Sequence, residues 1–410
     1  MQSRKAPVRK APVKKKKTSA GRVTEKPVKK PVRKSANAPV KKAKKPVRKA
    51  LTAASRRRRR QIKAIAARVG LSVAGVLVIL LAALLAAGYA GFRGPSTTVS
   101  DQLTMSMLET SALKFVPRIY FSKDQVDAIV ARNAVDTGDA ETDTSMIVIA
   151  KPTPTPDPAA AAEPVVTPSP TPAPENLLLS EDGIEVYSVK GGTYTGYMMV
   201  VLDPARVTCG TCRDSFNRKP GLQLKEIAAR YDAVAAINGG GFEDAGGGGN
   251  GGTPIGLVIS GGNVLHTGGD SGDFYATVGF NQDNVMIVGK MSASEAQSKG
   301  IRDAITFGPR LIVNGEPANV KGVSSGLNPR TAIGQRADGA VLMLVIDGRQ
   351  SSSLGATYSD LIKVMVQYGA VNAINMDGGS SSLMYYKGEY LNSGVVLTGS
   401  RNMPTAFIVR

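Results

Sequence analysis

The feature that most constrains the fold is an uncharged run of 24 residues from Val69 to Phe92. A helix of that length rises about 1.5 Å per residue and extends about 36 Å, which exceeds the roughly 30 Å hydrocarbon core of a bilayer. The apolar part of a secretory signal peptide is shorter, about 7–15 residues. The run therefore predicts one transmembrane helix over residues 69–92.

Charge is distributed unevenly around this span. Residues 1–68 contain 27 of the 52 Lys and Arg residues but only one of the 32 acidic residues, so this head carries +26 and the remainder −6. The positive-inside rule places such a head in the cytoplasm. The prediction is a single-pass protein of the cell membrane with an extracellular C-terminal domain. The net charge of +20 for the whole chain does not describe that domain, so a basic enzyme acting on nucleic acid is excluded.

The head is built from short Lys-Pro-Val and Lys-Ala-Pro-Val units and ends in the five arginines at 56–60. Because such a segment repels itself and has little apolar surface to bury, residues 1–68 are predicted to be a disordered basic tail. Two interpretations of its role stay open. It could bind anionic lipid or nucleic acid, or it could be a long topology signal.

Composition divides the rest of the chain into three parts. Residues 93–150 are mixed and polar, with one helical patch near residues 122–131, and are interpreted as a juxtamembrane stalk. Residues 151–176 are rich in Pro-Thr pairs, which favour an extended linker that holds the following domain away from the membrane. Residues 177–410 have the size of an ordinary globular domain.

This domain is predicted to be α+β, a mixed β-sheet with two or more packed helices. One helix covers about residues 222–231. A second begins at Thr357, where Asp360 completes a capping box, and ends at Gly369. Strands are predicted at 197–202, 233–238, 256–260, 311–313, 341–346, 370–376 and 406–409.

The passages from helix to strand contain a repeat at an offset of 137 residues. Residues 231–238 and 368–375 agree at six of eight positions, and each copy leads into a glycine cluster. If the two strands were adjacent in one sheet, their C-terminal ends would face one cleft, with Asn238 and Asn375 at matching places. The alternative is a chance match between two short strands of common composition.

Two carboxylates are candidates for chemistry. Asp347 and Asp377 each follow an apolar strand and precede glycine. Asp-Gly pairs also favour hairpin turns. Neither pair is followed at once by an alternating strand, so both residues are predicted to be functional.

Two arginines lie close to these carboxylates in the sequence. Arg330 leads into a strand and Arg349 follows Asp347 by two residues. The planar guanidinium group binds two oxygens of a phosphate, which favours phosphate binding over two isolated surface charges.

Five motifs occur in order, at residues 235–242, 306–309, 328–334, 346–349 and 375–382. Together they resemble the phosphodiester glycosidase family over about residues 180–410. The family usually has Asn-Gly-Gly-Phe-Phe where this chain has three glycines between Asn238 and Phe242. The loop at 246–252 is also unusually rich in glycine, so the substrate-facing loop is expected to differ.

The resemblance implies hydrolysis of a sugar 1-phosphodiester at its anomeric carbon, in an envelope glycan or a related glycoconjugate, with Asp347 and Asp377 as catalytic residues and no required cofactor. A phosphate leaving group, with its second pKa near 6, departs with little acid assistance. One carboxylate, with arginines and amides around the phosphate, would then suffice. The residues predicted to bind substrate or phosphate are Asn238, Gly240, Phe242, Arg330, Thr331, Arg349, Asn375, Gly378, Gly379, Ser380 and Ser381.

Two alternatives remain open. A non-catalytic envelope module could use the same arginines and glycine loops to bind a phosphate-containing wall polymer or an exopolysaccharide. A metal-dependent hydrolase could hold Ca²⁺ or Mg²⁺ with oxygens of Asp347, Asp377 and Asn375. A chain with one histidine cannot form a two-histidine zinc motif.

The only two cysteines, Cys209 and Cys212, are close in the sequence of a domain predicted to be exported. A local disulfide is expected in such a compartment, in preference to a thiol redox motif.

Overall fold

The computed structural model describes residues 53–149, 176–216, 219–244, 249–268, 276–392 and 401–410. Most of the basic tail and nearly all of the Pro-rich linker lie outside these ranges, so the predictions made for them stay predictions. Two compact units are separated between Ala74 and Gly75. The larger unit contains every residue of the site described below.

The first helix, α1, covers Ala53–Arg93 and starts well before the predicted span. Its residues 55–93 are long and apolar enough to cross a membrane. Arg56 to Arg60 are helical, so the prediction of disorder is wrong for the last part of the tail. Alanine, arginine, lysine, glutamine and isoleucine tolerate helix well, and no proline or glycine interrupts residues 53–69.

Residues 97–149 are not a free stalk, which corrects the interpretation made from composition. They form helices α2 (Thr97–Leu108), α3 (Pro117–Tyr120) and α4 (Lys123–Arg132) and a short strand β1 (Val135–Asp136). The side chain of Arg310, in the domain, donates hydrogen bonds to the carbonyl oxygens of Thr137 and Ala140. The segment is therefore packed against the domain.

The described part of the domain contains three larger sheets, and each of their strand pairs is antiparallel. The eight-stranded sheet has, in spatial order, β13 (Glu316–Pro317), β12 (Arg310–Val313), β17 (Ala370–Met376), β15 (Arg330–Arg336), β16 (Val341–Ile346), β4 (Thr195–Val201), β3 (Ile184–Lys190) and β2 (Leu177–Glu181). One five-stranded sheet has β10 (Met286–Lys290), β9 (Ala276–Asn281), β11 (Ile301–Thr306), β7 (Leu257–Ser260) and β8 (Asn263–Thr267). The other has β19 (Glu389–Tyr390), β18 (Met384–Tyr386), β6 (Ala235–Asn238), β20 (Thr405–Val409) and β5 (Val207–Thr211). A separate pair joins β1 to β14 (Asn319–Val320).

Three further helices, α5 (Leu224–Arg230), α6 (Ala293–Ser298) and α7 (Tyr358–Gln367), complete the described part of the domain. The α+β class with packed helices is confirmed. Helix α7 has the predicted capping box between Thr357 and Asp360, and it covers one face of the eight-stranded sheet with Leu361 and Met365. The other face packs on both five-stranded sheets in one continuous core. This two-sided burial explains why β15, β16 and β17 are buried at every position.

Candidate active site

The two copies of the sequence repeat lie in different sheets, so the condition that their strands are adjacent in one sheet is not met. Strand β6 belongs to a five-stranded sheet and β17 to the eight-stranded sheet. Their C-terminal ends nevertheless meet. The Asn238 side-chain amide donates a 2.6 Å hydrogen bond to the Asp377 carbonyl oxygen, and the Asp377 amide donates to the Gly239 carbonyl at 3.1 Å. The repeat therefore does mark one site, formed across two sheets.

A cavity of about 630 Å³ opens beside this junction. Eight of the predicted site residues line it, namely Phe242, Arg330, Arg349, Asn375, Asp377, Gly378, Gly379 and Ser380. The other lining residues, which the sequence analysis did not name as site residues, are Glu109, Thr110, Ser111, Ala112, Gly241, Asp244, Gly249, Ile255, Phe307, Asn328, Tyr358 and Arg401. Gly241, Phe307 and Asn328 lie within the five motifs, and Gly249 lies in the glycine-rich loop. The lining is rich in charge, and its charged groups among the described residues are three arginines and three carboxylates.

Asp377 is the catalytic candidate that faces the cavity. Asp377 as a whole residue is partly exposed. Its carboxyl group is buried, and this burial raises the pKa of the group to about 6. The Ser381 side chain, the charge of Arg401 and the Gly378 amide oppose this rise. That amide donates to Asp377 Oδ1 at 3.0 Å. A carboxyl group with a pKa near neutrality is suited to proton transfer in a site of this kind.

Asp347 lies outside the cavity lining. Its Oδ1 accepts a 3.0 Å hydrogen bond from the Asn392 side chain, and its backbone bonds to Thr195 and to the Ser353 hydroxyl. Burial raises the pKa of Asp347, while the bond from Asn392 opposes that rise. These contacts place Asp347 in the packing that supports the site.

The guanidinium group of Arg330 is largely hydrogen-bonded to other protein groups. The side chain is buried, and its nitrogens donate to the Ala356 carbonyl, the Ser325 hydroxyl and the Glu109 carboxylate. It also stacks on the Tyr358 ring, 4.4 Å from the ring centroid. Because these nitrogens already bond to protein groups, Arg330 has fewer donors left for a phosphate than the sequence analysis assumed. Its role in phosphate binding stays a prediction.

Arg349 and Arg401 provide the other two positive charges. Arg349 has a backbone φ of 57° and donates to Asn328 Oδ1 and Thr110 Oγ1, both at 2.9 Å. Its guanidinium also lies against the Gly379 backbone, since a Cβ on that glycine would be 3.3 Å from Nη1. Arg401 lies 2.5 Å from Asp244 and 4.6 Å from the centroid of the Phe242 ring. Nothing in the sequence around Arg401 distinguished it from a surface arginine.

Four predicted binding residues support the structure instead of lining the cavity. Asn238 Oδ1 accepts hydrogen bonds from the Thr331 hydroxyl and the Leu383 amide, so Asn238 and Thr331 are fixed to each other. A Cβ on Gly240 would lie 2.4 Å from the Thr306 carbonyl oxygen, so this glycine permits close backbone packing. Ser381 is buried beside Asp377 and contributes through the pKa effect described above.

Asn375 is well placed to contact a ligand. Its Nδ2 donates to the Gly308 carbonyl oxygen at 2.8 Å. Its Oδ1 is buried and accepts no hydrogen bond from any residue that the structure describes. Asn375 lines the cavity, and a buried acceptor without a partner is costly, so a small rotation of this amide would suit a ligand hydroxyl or amide donor.

The predicted disulfide between Cys209 and Cys212 is not formed, because both are free, buried thiols. Cys209 packs in the core between the sheets, whereas Cys212 belongs to the cluster under α5. Side chains three positions apart along an extended strand point to opposite faces. Burial raises the pKa of both thiols, which does not favour a redox role.

In the described ranges, no three His, Cys, Asp or Glu side chains are grouped so that they could hold a metal ion. The single histidine, His266, has its Nδ1 2.7 Å from the Gly256 carbonyl oxygen and lies outside the cavity lining.

Comparison with known proteins defines the class of this domain. Residues 231–410 match the model of the family described as phosphodiester glycosidase. The resemblance inferred from the five motifs is therefore confirmed over residues 231–410.

An uncharacterized SPβ prophage-derived protein of Bacillus subtilis, YomE, is 32% identical over 201 residues, which are 47% of this chain and 29% of that protein. The chain thus spans less than a third of the length of this relative. Among solved structures, the catalytic domain of zebrafish N-acetylglucosamine-1-phosphodiester α-N-acetylglucosaminidase, auto-inhibited by its pro-peptide, matches with a TM-score of 0.46 and 20% identity over 55% of this chain and 82% of that one. A hypothetical protein from Synechocystis matches with a TM-score of 0.40 and 17% identity over 56% of this chain and 62% of that one.

Proposed function

We propose that the protein hydrolyses the bond between the anomeric carbon and the phosphate oxygen of a sugar 1-phosphodiester. The observation that carries the proposal is Asp377, whose carboxyl group has a pKa near 6 at the wall of a cavity that also holds Arg349 and the Gly378–Gly379 backbone. The match of residues 231–410 to the phosphodiester glycosidase family supports the same reaction.

In this mechanism the ionised Asp377 carboxylate activates a water molecule or attacks the anomeric carbon. Arg349 and the backbone of the Gly378–Gly379 loop bind the phosphate as it leaves. Asn375 Oδ1 accepts a hydrogen bond from the sugar, which supplies its missing partner. One carboxylate suffices because the leaving group is a stabilised phosphate and needs little protonation.

The substrate that we propose is an envelope glycan or a related glycoconjugate outside the cytoplasm. Helix α1 would anchor the chain, with the basic head in the cytoplasm, as the charge asymmetry around residues 69–92 favours. Protease added to intact cells should remove the C-terminal domain and leave the head. Protection of the domain would contradict this topology.

The reaction can be tested on the full-length protein with a panel of sugar 1-(methyl phosphates) in water enriched in ¹⁸O. Cleavage at the anomeric carbon releases free sugar that carries the label, together with unlabelled methyl phosphate. Sugar 1-phosphate and methanol would show that the other bond is broken and that the proposal is wrong. Binding without turnover would identify a glycan-binding module instead. Asp377→Asn is the inactive comparison, and Asp127→Asn, an exposed change on α4, is the matched control.

A further inference from the structure

Helix α2 is joined closely to the loop that precedes Arg330. The Gln102 side chain donates to the Ser325 carbonyl at 3.0 Å, and the Leu327 amide donates to Ser106 Oγ at 2.9 Å. A Cβ on Gly326 would lie 2.2 Å from the Ser106 Cα, so the two backbones meet where only glycine fits. Helix α2 lies outside residues 231–410, the part of the chain that matches the family, whereas the loop lies inside it.

The end of α2 places a carboxylate in the cavity. Glu109 Oε2 accepts hydrogen bonds from Arg330 Nη2 and Asn328 Nδ2, both at 2.6 Å. The Arg330 side chain is 5% exposed and that of Glu109 is 23% exposed. Thr110, the residue after Glu109, accepts a hydrogen bond from Arg349 through its hydroxyl oxygen. The end of α2 therefore contacts both Arg330 and Arg349.

Glu109 changes the charge balance of the cavity. Among the described residues that line the cavity, the charges of Arg330, Arg349 and Arg401 balance those of Glu109, Asp244 and Asp377. Tyr358 is the remaining titratable group of this set. The charge of Glu109 acts on the pKa of Arg330, Arg349 and Tyr358. With all six charged residues ionised the lining is neutral, whereas without Glu109 it carries one net positive charge.

We propose that Glu109 is a specificity-determining residue that makes the site favour a monoanionic phosphodiester over a dianionic phosphomonoester. The inference rests on the proposed function. A phosphodiester carries one negative charge, but the monoester that hydrolysis releases has a second pKa near 6 and is mostly dianionic at neutral pH. The added charge forms in a cavity where Glu109 already pairs with Arg330 and where charges interact more strongly than in water. Glu109 thus weakens product binding and favours product release.

The test compares methyl phosphate with dimethyl phosphate, by calorimetric titration of the full-length protein at pH 8. In Glu109→Gln, methyl phosphate should bind at least tenfold more tightly than in the wild type, and dimethyl phosphate should change less than threefold. Asp127→Asn removes an exposed carboxylate from the same segment, residues 97–149, and should change the affinity for neither ligand. The proposal would be overturned if Glu109→Gln raised the affinity for both ligands equally, or if it did not raise the affinity for methyl phosphate.

A second measurement does not depend on the stability of the variant. In the wild type, the affinity for methyl phosphate relative to dimethyl phosphate should fall about tenfold between pH 5 and pH 8, as methyl phosphate becomes a dianion. Asp377 ionises in the same pH range and repels a dianion more strongly than a monoanion, so the ratio is also measured in Asp377→Asn, where the fall should persist. A ratio that is constant or rises with pH would refute the role of Glu109. Since these experiments measure binding, their failure is distinct from a failure to hydrolyse sugar 1-phosphodiesters.

Discussion

The side-chain amide of Asn238 donates a 2.6 Å hydrogen bond to the backbone carbonyl oxygen of Asp377. This bond joins the end of a strand in one sheet to the residue that follows a strand in another. Asn238 is only 1% exposed, so its bonds are shielded from water. The position of the Asp377 carboxyl group in the cavity therefore depends on a residue that does not line the cavity.

Asn238→Ala is expected to destabilise the protein and to reduce turnover. The change leaves the Thr331 hydroxyl, the Leu383 amide and the Asp377 carbonyl oxygen without their partner. Buried polar groups left unpaired cost about 1–3 kcal/mol each, so a loss of about 2–4 kcal/mol after relaxation is expected. Urea unfolding measures the stability, and kcat measures the displacement of Asp377. A variant with wild-type values of both would show that this junction is unimportant.

Asp377→Asn should abolish turnover and yet stabilise the folded protein above pH 6. The pKa of Asp377 in the folded state is about 6, above its ordinary value of 3.8. A raised carboxyl pKa means that the folded state is penalised as pH rises through 6, when the buried group must ionise. The asparagine cannot ionise, so it should add up to about 3 kcal/mol at pH 8 and little at pH 4. Thermal unfolding at the two pH values tests this, and equal effects at both would contradict it.

The pH dependence of kcat/KM should show the same group. As a base or nucleophile, Asp377 must be ionised, so kcat/KM should fall about tenfold per pH unit below about 6. Because the charge of Arg401 lowers the pKa of Asp377, Arg401→Gln should move this limb to higher pH. A profile that stays flat down to pH 5 would exclude Asp377 as the ionising group.

Both cysteines should be reactive only in the unfolded protein. Cys209 and Cys212 are free and buried, and burial raises the pKa of each thiol. Ellman's reagent should therefore detect two thiols in denaturant and almost none in the folded state. The melting temperature should be the same with and without a reducing agent. A fall in melting temperature on reduction would indicate a disulfide.

Local patterns predicted a large part of the fold. Strands β16 and β17 begin and end at the predicted residues. The sequence of β16 is a continuous apolar run, as suits a strand buried on both faces, and that of β17 is apolar except for Asn372 and Asn375. The capping box at Thr357 correctly predicted the start of α7. The sequence repeat located the junction at Asp377, although it could not tell that the two strands lie in different sheets.

The missed features depend on contacts between residues far apart in the sequence. Glu109 and Arg330 are separated by 221 positions, and the polar composition around Glu109 has no periodicity that predicts docking on the domain. Arg401 becomes part of the site only through Asp244 and Phe242, more than 150 positions earlier. Ion pairs between distant residues produce no local pattern in the sequence. Apolar periodicity does, because it indicates which residues of a helix or strand are buried.

Asp347→Asn should separate the two carboxylates that the motifs could not distinguish. Both follow strands and precede glycine, but only Asp377 lines the cavity, while Asp347 Oδ1 accepts a hydrogen bond from Asn392. An asparagine at 347 can keep that bond through its own Oδ1, so kcat should fall less than tenfold, whereas Asp377→Asn should reduce kcat by at least a thousandfold. Both variants should be assayed with the same sugar 1-phosphodiester, after melting curves have shown that each is folded. If Asp347→Asn were as inactive as Asp377→Asn while folded, two carboxylates would be needed, and Asp347 would have to reach the substrate through a rearrangement of the Asn392 contact.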